Sequence, residues 1–319
     1  MKKLLTSLLF TCSAVVPSLE AVYQAPSFNF DVAAGYRQDH FRWASRDPSV
    51  PDDLTESVTW KNLQIADFTA FATYTSCTGW YFRANGDYGR IYDGHVKNKD
   101  YLQTSSSNKT LIEENKANGG KGEVFDVVGG VGYRFISNGG RLALAPLIGY
   151  IHSEQHLHIY DVNNIFIIGQ APDGRVPGHS TYKTRWYGGF AAWDMLLDWS
   201  CDLKFFGTIQ GQMGQYRGQG HWRARDDING YINHKANYVG FTGTLGFLYR
   251  IFCNNFFGIS GSYRNLWTHH GKQKTNRTVY LLDDFGWAIN PQGDDEDFEQ
   301  KFHARWRVWS VQANWFIHY

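Results

Sequence analysis

Beyond Ala21 the sequence has no uninterrupted apolar run of the roughly 18–20 residues that a membrane-crossing helix requires, which excludes a helical membrane protein. Neither sign of charge is in excess. The 31 lysines and arginines nearly cancel 30 aspartates and glutamates, so the basic footprint of a nucleic-acid binder is missing. Methionine is scarce, with 3 in the chain, and there are only 4 cysteines. No glycine-rich phosphate loop, nucleophile elbow, paired-cysteine zinc ribbon or heptad pattern occurs, and no cofactor is expected. Aromatic residues, by contrast, make up 17% of the chain beside 33 glycines. Tyrosine and tryptophan put a ring in an apolar medium and a polar tip in a wet one, so this composition suits many strands crossing a lipid–water boundary.

The N-terminus reads as an export signal: Lys2 and Lys3, an apolar stretch from Leu4 to Val16, then Pro17 and small residues. Cleavage is expected after Ala21, with Ser18 the alternative, leaving residues 22–319 as one domain. Cys12 lies inside the signal, and Thr11 before it fits a lipoprotein box poorly, so no lipid anchor is expected.

The dominant pattern in the rest of the chain has period two, as in a barrel wall whose strands show alternate residues to lipid and lumen. At the C-terminus Trp309, Val311, Ala313, Trp315, Ile317 and Tyr319 share one face, and Ser310, Gln312, Asn314 and His318 the other, with Phe316 the exception. Upstream, Phe28, Phe30, Val32, Ala34 and Tyr36 oppose Asn29, Asp31 and Arg37. Phe125, Val127, Val131 and Tyr133 oppose Asp126 and Arg134. Val239, Phe241, Leu245, Phe247 and Tyr249 oppose Thr242, Thr244 and Arg250.

Connections alternate in length. Short turns fall at Tyr74–Gly79, Ser137–Gly140, Asp198–Asp202 and Ile251–Asn255, and longer polar segments at 47–56, 93–121, 161–180, 223–230 and 271–300. This predicts an all-β fold, a transmembrane antiparallel meander barrel of ten strands with both termini on the short-turn side. Twelve strands is the alternative, should 94–121 or 161–180 hide a hairpin. In a soluble sandwich the outer face would be charged; here the wet face holds isolated charges among Gly, Ser, Thr and Gln, which suits a lumen.

On that lumen face the pattern places Asp31, Arg37, Asp67, Arg83, Asp87, Asp126, Arg134, Lys204, Arg250 and Arg264. They read either as pore-lining charges that select small solutes or as ion pairs filling a narrow barrel. After removal of the signal, Cys77, Cys201 and Cys253 remain, each in a short turn facing the periplasm. An odd number of thiols in an oxidising compartment points to disulfides with neighbouring envelope proteins or within a homo-oligomer. His152, Glu154, His156 and His158 share a strand face. They are weak candidates for a metal, with a hydrated barrel rim as the simpler reading. The acidic run Asp294, Asp295, Glu296, Asp297 and Glu299 reads as a solvated loop.

The runs LTESVTWKNL (54–63), YFRANGDYGR (81–90), GKGEVFDVVGGVGY (120–133), PLIGYIHSEQHLHIY (146–160), TRWY (184–187) and GQGHW (218–222) resemble the outer-membrane protein family of Protochlamydia and its environmental relatives. The resemblance covers essentially the whole mature chain. It implies a barrel in the outer membrane of a chlamydial bacterium, with pore formation as the activity, lipids and small solutes as partners, and no catalytic residues. More remotely, length and connections resemble the omptins, outer-membrane proteases that use a carboxylate pair and an Asp-x-His pair over the barrel mouth. Gln219-Gly220-His221 falls at the second pair with glutamine in place of aspartate, and Asp93-Gly94-His95 is the nearest match to the first. Gln219 cannot charge-stabilise an imidazolium, so a protease is not expected. Adhesion through the long loops is a third expectation.

Overall fold

A computed structural model describes residues 19–20, 25–46, 54–103, 109–137, 139–167, 174–222, 230–275 and 300–319. Alternating aromatic and β-branched residues favour strands, and among the described residues every regular element is a strand: β1 (Leu19–Glu20), β2 (Ser27–Arg46), β3 (Leu54–Thr75), β4 (Trp80–Gln103), β5 (Lys109–Asn118), β6 (Gly122–Tyr133), β7 (Phe135–Ser137), β8 (Leu142–Ile167), β9 (Gly174–Asp198), β10 (Leu203–Trp222), β11 (Gly230–Phe252), β12 (Asn255–Thr275) and β13 (Gln300–His318).

Every pairing among the described residues is antiparallel, and the ring closes where β13 meets β2, from Lys301 opposite Arg46 down to His318 opposite Asn29. The Tyr319 and Phe28 backbones complete the seam with hydrogen bonds of 2.8 and 3.1 Å. Closure leaves no strand edge unpaired, a requirement in lipid, where water cannot satisfy a bare amide. β5 and β6 both lie between β4 and β8, so together they form one stave. The wall therefore has ten staves. The long segments after β4 and β8 lengthen existing hairpins instead of adding new ones: β4 runs on to Gln103 against β5, and β8 and β9 stay paired out to Asn164 opposite Gly174. The predicted loops at 94–121 and 161–180 are thus largely strand. β1 pairs only with β7, Leu19 opposite Ser137, and is no part of the ring.

Exposed Phe28, Phe30, Trp80, Phe82, Ile148, Ile209, Leu245, Phe247, Ile259 and Val311 form an apolar belt on the short-turn half of the barrel. By the outer-membrane convention that end is periplasmic. The turn between β3 and β4 is made by Gly79, whose φ of +90° suits a residue without Cβ.

Above the belt the amphipathicity inverts without any change of register. In β13 the even-numbered residues point inward throughout. Within the belt they are Ser310 and Asn314, with Val311 and Trp315 outside; above it they are Phe302, Ala304, Trp306 and Val308, with Lys301, His303, Arg305 and Arg307 outside. A strand in lipid is apolar outward, and one projecting into water must be apolar inward, so a single pleat serves both media. The wet lumen face expected along the whole chain holds only for the membrane half.

Candidate functional site in the barrel interior

The outer half of the interior is filled. Phe41, Trp43, Trp60, Tyr182, Trp186, Tyr216, Phe302 and Trp306, all fully buried, come from five strands and meet across the axis. Tyr182 stacks on Phe41, Trp43 and Trp60 with ring centroids 5.3–6.0 Å apart, and Trp186 lies 4.5 Å from Tyr216 and 6.0 Å from Trp306. Gly218 faces this packing, where a Cβ would collide with the hydroxyl oxygens of Tyr182 and Tyr216. A ten-stave barrel is little wider than one that side chains fill, and these aromatics are the largest fillers available.

A directed hydrogen-bond chain runs through this plug. The His234 Nε2–H donates to Gln273 Oε1 at 2.7 Å, so Nδ1 accepts from the Tyr182 hydroxyl at 2.5 Å, and Tyr182 accepts from Tyr216 at 2.7 Å. Burial holds the imidazole neutral, lowering its pKa to about 3 against a raising effect from the Gln273 bond.

Beneath the plug, two charged networks span the lumen. Arg37 on β2 donates to Asp39 through Nε (2.9 Å) and Nη2 (3.1 Å), and through Nη1 to Asp126 of β6 at 3.0 Å and Asp87 of β4 at 3.2 Å. Arg264 of β12 donates to the other Asp126 oxygen at 2.8 Å, and the Trp306 indole to Asp39 at 2.8 Å, which ties the network to the plug. In the second network Arg83 of β4 donates to Asp194 of β9 at 2.7 Å and to Gln210 of β10 at 2.7 Å, with Tyr81 and Thr208 also on Asp194. Below lies a chamber of about 250 Å³ whose walls include Asp31, Arg83, Asp87, Arg134, Asp194 and Arg264.

The predicted lumen residues therefore fall in four places, with Arg83 in the second network. Arg37, Asp67, Asp87, Asp126 and Arg264 gather in the first network, where Asp67 accepts from Gln312 at 2.6 Å. Asp31 and Arg134 line the chamber. Lys204 and Arg250 sit at the periplasmic mouth, beside Asp198 (2.6 Å) and Asp202 (3.9 Å). Sequence reasoning missed Asp39 and Asp194, the central acceptors, and the whole plug. The signal was present as the inverted alternation of residues 301–308.

His152, Glu154 and His156 face outward above the belt. Burial works against the Glu154 carboxylate, yet hydrogen bonds from Lys183 and His156 and the charge of Arg185 hold its pKa down to about 2. His158 turns away to stack on Tyr160 and to meet His179 at 2.7 Å. The row is thus divided between two separate contacts, and no metal-holding group of three occurs among the described residues. Cys77, Cys201 and Cys253 lie in the short turns at one end of the barrel as free thiols, and the described residues contain no disulfide. The acidic run 294–299 lies outside the described residues.

Residues 31–315 match the Protochlamydia outer membrane protein family model. The chain belongs to that family. It is accordingly a β-barrel protein of a bacterial outer membrane. No curated protein matches this family member by sequence. Among solved structures, the outer membrane protease OmpT of Escherichia coli superposes with a TM-score of 0.70, covering 96% of this chain and 99% of that one at 12% identity. A FadL homologue of Pseudomonas aeruginosa covers 91% of this chain and 90% of its own at 8% identity and a TM-score of 0.31. OprG of the same organism covers 93% and 99% at 11% and 0.29. At such identity the first likeness shows the fold alone. In this member of the family the residues nearest the omptin pattern look away from the interior: Gln219, Asp93 and His95 are exposed on the outer wall, on the opposite face from buried Gly94 and Gly220. They assemble no carboxylate pair over the mouth.

Proposed function

We propose that the protein is an envelope barrel whose lumen is sealed in its outer half, with a charged chamber confined to the membrane half. The observation that carries this reading is the aromatic plug, because a continuous water path would have to pass side chains packed at interior density. Of the channel and envelope roles, the envelope role fits the barrel at rest. The channel role is supported by the polar chamber and requires the plug to open, the networked charges then lining the path and selecting small solutes. In swelling assays with liposomes containing refolded protein, small sugars are expected to be retained by the wild type. A triple variant, Trp60→Ala, Trp186→Ala and Trp306→Ala, should leak them. Rapid swelling with folded wild type would reverse the order of the two roles.

Cys77, Cys201 and Cys253 are proposed to link the barrel to neighbouring copies or to other envelope proteins. Each link joins two thiols as a disulfide and passes two electrons to the oxidants of the compartment. All three cysteines lie at one end, Cys201 and Cys253 are exposed, and an odd number cannot be satisfied within one chain. Ladders on non-reducing gels that collapse with reductant are expected; a monomer band in both would remove the proposal.

A further inference from the structure

Just above the girdle formed by Tyr36 and Trp309, the outer wall of β13, β2 and β3 concentrates positive charge. Arg305 stands directly opposite Arg42 in the β13–β2 register, and Arg307 opposite His40. On the other side of β2 the pairing with β3 shifts between Asp39 and Phe41, and the bulged residues, Lys61 and Asn62, fall beside His40. Arg42, Lys61, Arg305 and Arg307 are all exposed. Like charges facing each other across strands destabilise a sheet unless something anionic sits between them. Among the described residues the outward positions of β13 and β2 contain no aspartate or glutamate. Among the described residues, the exposed acid Asp93 lies beyond β3 on β4, where it accepts from Gln64 at 3.0 Å. His40 feels the same field: burial and the charges of Arg307, Lys61, Arg42 and Arg305 all depress its pKa.

Height decides what meets this cluster. Trp309 packs on Tyr36 with centroids 5.2 Å apart and donates its indole N–H to Gln38, as expected of a ring at the apolar boundary. Arg307 and Arg305 are two and four residues farther out, roughly 5 and 10 Å along the axis of a tilted strand. The headgroup layer begins there and is about 5–8 Å deep. A bond from Arg305 Nε to Asn265 at 3.0 Å holds that guanidinium against the wall, with its remaining N–H groups available. Planar guanidiniums match phosphate oxygens in pairs.

We propose that Arg42, Lys61, Arg305 and Arg307 form a binding site for the phosphate-bearing headgroup of an outer-leaflet glycolipid, whose acyl chains lie along the belt below. The test is binding of diphosphoryl lipid A to the folded full-length barrel in a neutral sugar-headgroup detergent, with inorganic phosphate as competitor. Wild type should bind; Arg307→Gln should bind about fivefold more weakly, and Arg42→Gln with Arg305→Gln about twenty-fivefold, at unchanged circular dichroism. Arg141→Gln, which removes an exposed charge beside a short turn at the opposite end of the barrel, should bind as wild type does. Equal binding by all variants would overturn the site. Displacement by inorganic phosphate at concentrations comparable to the lipid would overturn the lipid as its source, leaving a free-anion site.

Discussion

His234 has both ring nitrogens engaged, one donating to Gln273 and the other accepting from Tyr182. A second proton would reverse the Tyr216–Tyr182–His234 chain and place a charge among tryptophans. Because burial lowers its folded pKa to about 3 from the usual 6.5, the unfolded chain binds the extra proton first as pH falls. The stability this neutral histidine contributes is complete above about pH 6.5 and declines steadily as pH falls toward 3. Denaturant titrations at pH 7 and pH 4 are expected to show a smaller loss on acidification for His234→Gln than for wild type. Arg37 offers a second test. Replacing it with alanine strands Asp39 without its charged partner and leaves Asp126 to Arg264 alone, an expected loss of about 3–5 kcal/mol. An exposed change such as Arg307→Gln should stay within about 0.5 kcal/mol. Both are read from urea midpoints of the refolded barrel. At this scale alternation alone assigned Arg37, Asp126 and Arg264 to one face. It carried no information on which strands face each other, so neither the Asp126 bridge between Arg37 and Arg264 nor the role of Asp194 was legible.

Within a strand, one pleat serves two media. Ile209 lies outward within the belt, 73% exposed, and should reject a lysine at a cost of about 2–4 kcal/mol near the midplane. Lys235 is outward above the belt, and exchanging it for glutamine should cost almost nothing; partitioning of each variant between folded and unfolded bands after insertion into vesicles measures both. The membrane spans of β2, β6, β11 and β13 were legible because their greasy face is also their exposed face. Their upper segments were misjudged because the same parity was assumed to keep the same polarity. In Phe302, Ala304, Trp306 and Val308 the apolar residues keep parity with Ser310 and Asn314, and only the change of solvent outside explains why that face must now be dry. The extended hairpins of β4 with β5 and β8 with β9 were hidden for a different reason. Their sequences, such as Lys97–Asp100 and Glu113–Lys116, are polar on both faces, and they read as loop.

As a whole, the barrel is an apolar-coated cylinder with an ion-paired waist and an aromatic stopper. Ring closure between the first and last staves, together with short turns at one end, was readable from turn spacing and the aromatic C-terminus. The stopper was not, because packing across a lumen joins residues as far apart in sequence as Trp43, Trp186 and Phe302. Single-channel recording from the refolded protein in a planar bilayer tests the seal most directly. Wild type should show no steady conductance at moderate voltage, while the Trp60, Trp186 and Trp306 triple alanine variant, folded by heat-modified mobility, should give discrete steps whose ion preference changes when Arg83 is neutralised. Steady open-channel steps from wild type would contradict a lumen sealed by these side chains.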